Sequence, residues 1–164
     1  MTKRTRQYFG LLTAIITYYL IHEGAHLLYA VLAGVFKEIR FMGLGIQIDI
    51  YRDLLTDTQL GIFCLVGVLA TQIAAYGMTL LTHRICRSPS KLFKACCYYS
   101  TIALLFLDPV YLSLLCGFVG GGDMNGIAFL IPEMTARIGF GILLLINAVI
   151  FWKAVLPRYT ESFS

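Results

Sequence analysis

The chain has 164 residues, 59% hydrophobic and 13% charged, with a net charge of +4. Soluble domains carry about a quarter charged residues, so this composition excludes an ordinary water-soluble globule, and the length suits one domain over residues 1–164. The basic residues flank long apolar blocks in the manner of charges that orient membrane helices, which argues against nucleic acid as a partner. The five cysteines, Cys64, Cys86, Cys96, Cys97 and Cys116, form no Cys-x-x-Cys pair and are read as small buried hydrophobes, not as a thiolate site or disulfide framework.

The first apolar block runs from Tyr8 to Val35 behind Lys3, Arg4 and Arg6. It resembles a signal peptide in order, but it is too long, lacks a small-residue cleavage site, and is expected to stay as a membrane span. A more polar stretch, residues 36–58, follows. Within it, Ile39 to Ile50 alternates apolar residues with Arg40, Gln47 and Asp49 around Gly43 and Gly45, which predicts a short β-hairpin. A second block covers Gln59 to Thr82, and a basic loop with Arg84, Arg87, Lys91 and Lys94 comes next. The third block, Leu92 to Val119, contains Asp108-Pro109, where the proline predicts a kink or break. After the glycine run Gly120–Gly122 and Asp123-Met124-Asn125-Gly126, a last block from Arg137 to Leu156 is expected to end at Pro157. The fold class is therefore an all-α polytopic membrane protein of four transmembrane helices, with a membrane-associated hairpin after the first. Counting loop charges puts both termini in the cytoplasm.

Chemistry concentrates in the first block as His22-Glu23-Gly24-Ala25-His26. Residues four apart share one helix face, so the two imidazoles suit one tetrahedral zinc ion, with Glu23 placed to work on a water without being forced to ligate. Three ionisable groups in five residues of a membrane helix are costly to keep without a function. A catalytic zinc site needs three protein ligands and one open position. The candidates for the third ligand are Asp123, whose neighbouring glycines allow close backbone approach, and Asp108 at the proline; Asp123 could instead cap the helix that starts near Met124. His83, at a basic loop, suits a surface role.

These features together resemble the site-2 protease family of intramembrane zinc metalloproteases. The run from His22 to Ile48 is similar to that family's first core helix and hairpin, including the Gly-x-Gly of residues 43–45. Gly67-Val68-Leu69-Ala70-Thr71 stands where the family often has Gly-Pro-x-x-Asn, and Gly122-Asp123-Met124-Asn125-Gly126 resembles its aspartate motif. The resemblance covers residues 1–85 well and the third core region loosely. It implies a minimal catalytic core in which His22, His26 and Asp123 hold zinc and Glu23 is general base and then proton donor; Asn125, by its nearness to Asp123, is a candidate oxyanion partner. Thr71 or Gln72 would contact substrate. It further implies a membrane protein or peptide substrate cleaved in the lipid bilayer, in the plasma membrane of a prokaryote. Well-known members carry their zinc nearer the cytoplasmic side, whereas the charge count puts the motif on the opposite side. Two other readings are a non-catalytic relative that binds metal or a partner helix, and a small transporter with Asp108 and Asp123 along a polar path.

Overall fold

The computed structural model describes residues 1–42 and 45–163. Among them, four helical stretches are long and apolar enough to cross a membrane: Lys3–Leu32, Asp57–Cys86, Lys91–Leu115 and Glu133–Phe163. Helix α1 (Lys3–Leu32) starts where Thr2 accepts a hydrogen bond from the Thr5 amide. At 1.5 Å per residue it is about 45 Å long, more than the roughly 30 Å hydrocarbon core requires. Leu12, Ile15, Ile16 and Leu20 lie exposed along it. A stripe of this kind fits lipid and not water, so the protein is a multi-pass membrane protein.

Strands β1 (Phe36–Met42) and β2 (Gly45–Ile50) pair antiparallel, Ile39 opposite Ile48 and Arg40 opposite Gln47. The predicted hairpin is present; Gly43 and Leu44 of the Gly-x-Gly lie outside the described residues. Period-two alternation turns Ile48 into the core, while Arg40 bonds Asp49 at 2.5 Å across the other face. Helix α2 (Asp57–Cys86) opens with a capping box between Thr56 and Gln59.

Pro109 does not break its helix. Helix α3 (Lys91–Val110) passes through it and widens into one π-helical turn, Tyr111–Leu115. The missing proline N–H frees the Leu105 carbonyl, four residues earlier, and Asn147 Nδ2 fills that vacancy at 2.6 Å. The sequence-based end at Pro157 is likewise corrected. Helix α5 (Glu133–Ile150) runs through a second π turn, Phe151–Val155, into α6 (Leu156–Phe163). Both prolines sit beside a π-helical turn, Pro109 just before one and Pro157 just after the other. Between α3 and α5 lies the short helix α4 (Asp123–Ile127). The basic loop is less uniform than the sequence suggests: Lys94 is buried, and its ammonium donates to the Ser162 carbonyl at 2.5 Å.

Candidate metal centre

His22 and His26 lie one turn apart on α1, both buried. His26 is six residues from the end of α1, about 9 Å along the axis, so the pair lies toward the hairpin end of the helix. Opposite them, α2 comes close because position 67 is glycine. A Cβ there would sit 2.9 Å from His22 Nε2 and closer still to His26 Nε2, so any larger residue would occupy the space into which both imidazoles point.

Asp123 reaches the pair from α4. Gly120, Gly121 and Gly122 have φ of 94°, 80° and 42°, a left-handed run that L side chains rarely adopt. It turns the chain back over the helices, and a Cβ on Gly122 would meet the Tyr111 hydroxyl at 2.5 Å. Gly126 then seats α4 on α2 against Cys64 and Leu60. Asp123 is the first residue of α4 with Gly122 at the N-cap position, which has no side-chain cap. Its carboxylate points instead at the histidines, Oδ2 being 3.1 Å from His22 Nε2 and Oδ1 3.6 Å from His26 Nε2. Burial raises the Asp123 carboxyl pKa, but when both imidazoles are protonated their hydrogen bonds and charge outweigh it and hold the group below the usual carboxylate range.

The far side of each ring fixes its tautomer. His26 Nδ1 donates to the Phe63 carbonyl at 2.8 Å, which leaves Nε2 as a bare lone pair. His22 Nδ1 faces Asp108 Oδ1 at 3.3 Å, so its Nε2 is also bare when the ring is neutral. The two Nε2 atoms are 3.2 Å apart. With both rings neutral, two nitrogen lone pairs and an anionic carboxylate converge on one point, an arrangement that repels itself unless a cation sits among them. A tetrahedral zinc with bonds of 2.0–2.1 Å has ligand–ligand edges of about 3.3 Å. The observed edges of 3.1, 3.2 and 3.6 Å bracket that value, so the donor set fits zinc in number, type and spacing.

Asp108, the other candidate ligand, takes a different position. It is buried behind His22, accepts hydrogen bonds from the Tyr18 and Thr71 hydroxyls, and addresses the ring nitrogen that points away from the cluster. A carboxylate placed there orients a ligand histidine and raises its basicity.

A cavity of about 910 Å³ opens over the three ligands. Glu23 lines it together with Tyr111, Asn125 and the run Ile46–Ile50 of β2. The Glu23 carboxylate faces the backbone amide of Ile48 in β2. Asn125 is exposed in the cavity, its amide resting on the Gly120 carbonyl at 3.4 Å.

The substrate contacts expected at Thr71 and Gln72 are not found in this geometry. Both side chains are buried and outside the cavity. Thr71 spends its hydroxyl on Asp108, and Gln72 donates to the Leu104 carbonyl and accepts from Asn147. Their rotation about α2 aims them at α3 and α5. Gly67 was named from the sequence only as the start of a motif, without a role at the cluster, and Tyr18 was not singled out. A glycine at the centre of an apolar helix was the available signal for the first; for Tyr18, four residues before His22 on the same face, spacing was the signal.

The fold and this cluster together define a multi-pass membrane protein with a His-His-Asp cluster, its histidines buried, that opens to a cavity. Comparisons with protein-family models, curated proteins and solved structures give no match.

Proposed function

We propose that the chain is an intramembrane zinc metalloprotease of the site-2 protease type, hydrolysing a peptide bond of a membrane-embedded or membrane-proximal substrate in the plasma membrane of a prokaryote. The observation that carries this reading is the convergence of His22, His26 and Asp123 at tetrahedral edge lengths in a cavity that also holds Glu23. His22, His26 and Asp123 would hold the zinc, which would supply Lewis acidity toward the scissile carbonyl and the attacking water. Glu23 takes the proton from that water and returns it to the departing amine. Asn125 offers its amide N–H to the oxygen that gains charge. The outer edge of β2 binds the substrate as an added strand, which a transmembrane helix can supply only after unwinding its own hydrogen bonds. Asp108 and the Phe63 carbonyl keep the two imidazoles in the ligand tautomer throughout.

One observation favours a second reading, a non-catalytic relative that binds metal or a partner helix. Thr71 stands at the position of the family's asparagine and is committed to Asp108, so that substrate contact is missing.

The test uses the purified full chain in detergent with a library of fluorogenic single-span transmembrane peptides, and compares wild type with Glu23→Gln. Wild type should cleave a subset of the peptides. The variant should retain about one zinc per chain by elemental analysis and lose cleavage by at least the 10² expected of a general base. Cleavage undiminished in Glu23→Gln would refute the mechanism; zinc-loaded wild type that cuts no peptide would favour the second reading.

A further inference from the structure

We infer that the end of the molecule away from the His-His-Asp cluster holds a binding site for the phosphate headgroup of an anionic phospholipid. A second cavity, of about 430 Å³, opens there between the start of α1, the first turns of α3 and the end of α6. Lys3, Arg6 and Gln7 form one wall, Tyr98 and Tyr99 another, and Phe163 closes it. No aspartate or glutamate lines the cavity, and among the described residues neither Lys3 nor Arg6 makes an ion pair.

A third cation stands behind this wall. Lys94, one residue before the cavity-lining Ala95, is only 5% exposed. Its ammonium donates to the Ser162 carbonyl and lies 5.3 Å over the Phe163 ring, partners that carry no formal charge. Among the described residues no carboxylate lies within ion-pair distance of it. Among the described residues this buried ammonium has no counter-ion, and an anion held by Lys3 and Arg6 beside Phe163 would lower the cost of its burial.

Depth identifies the anion's source. Lys3 and Arg6 occupy the first turn of a membrane-spanning helix, and Tyr98 lies about 10 Å along α3 from its start, so the cavity spans the level where headgroups meet acyl chains. Cations at its outer end and aromatic rings deeper in match a phosphodiester with its glycerol and first methylenes. Basic pockets between transmembrane helices recognise anionic headgroups by this chemistry.

Native mass spectrometry of the full chain tests the site, after exchange from phosphatidylcholine nanodiscs into nanodiscs of equal parts phosphatidylcholine and phosphatidylglycerol. Wild type should retain one phosphatidylglycerol in preference to phosphatidylcholine. The double variant Lys3→Gln/Arg6→Gln should lose about thirtyfold of that preference, given the worth of each basic residue near an anionic surface. Arg84→Gln/Arg87→Gln removes the same charge at a loop that does not line the cavity and should keep the preference. Equal loss in both double variants would reduce the effect to general surface charge and overturn the site, as would no preference in wild type. Displacement of the lipid by millimolar inorganic phosphate would also overturn it, by showing that a free anion suffices. Both pairs of substitutions lie at exposed or half-buried positions, and helical circular dichroism checks folding of each variant.

Discussion

Replacing Asp108 with asparagine changes one atom type on the far side of the His22 ring from the candidate metal position. In the native arrangement the carboxylate can only accept, so His22 must present Nδ1–H to it and a bare Nε2 to the cluster. An asparagine amide is half donor. With its NH2 toward His22, it forces the ring proton onto Nε2 and removes a ligand. With its oxygen toward His22, the NH2 meets the Thr71 hydroxyl, which can turn to donate to the Val68 carbonyl 2.8 Å away. The second orientation is accommodated, so the variant should still bind zinc, with a neutral group behind His22 in place of a charged one. Loss of a partner of this kind costs 10- to 100-fold in metal affinity, about 1.4–2.7 kcal/mol. Competition with a chromophoric chelator, on purified full-length protein in detergent, reads that change directly. Asp123→Asn, which removes a donor from the cluster itself, should weaken zinc more than Asp108→Asn does. Zinc affinity within twofold of wild type in Asp108→Asn, with helicity unchanged, would refute the assignment of Asp108 as the residue that sets the His22 tautomer.

Gly67→Ala should fold, since α2 tolerates alanine, yet lose at least nine-tenths of its bound zinc by elemental analysis, because the new methyl fills the space between the imidazoles. Asn147→Leu leaves the Leu105 carbonyl and Gln72 Oε1 without their donor and the Tyr76 hydroxyl without its acceptor; thermal unfolding in detergent should show a loss of about 1–3 kcal/mol. Gly122→Ala places a methyl on a left-handed residue against the Tyr111 hydroxyl, and zinc affinity should drop while the four long helices keep their far-ultraviolet signal. Stripping zinc with a chelator should leave the helical content nearly unchanged, because the spans pack through apolar and polar contacts that do not involve the cluster.

The spans, the hairpin and the His-x-x-x-His pair were legible in the sequence because each depends on short-range periodicity. Asp123 was legible for a related reason: three glycines beside an acid mark a chain that must turn tightly. What could not be read was rotation and long-range contact. Nothing local distinguishes Thr71 and Gln72, which face α3 and α5, from residues that face a cavity. Asp108 was recognisable as an expensive buried acid, but its position behind His22 depends on α1 and α3 packing side by side across 86 residues of chain. Pro157 was misread as a stop because the π turn before it has no sequence signature as plain as proline's own.

The carbonyl that Pro109 leaves open at Leu105 has a consequence for biosynthesis. Every donor of the cluster, and Asp108 behind it, has been made before residue 133, yet the group that fills the Leu105 vacancy is Asn147, on the last span to emerge. Until that span docks, the segment carrying Asp108 holds an unsatisfied carbonyl one turn away, in a medium with no water to relieve it. Docking of the last span thereby completes the hydrogen bonding of the segment that carries Asp108.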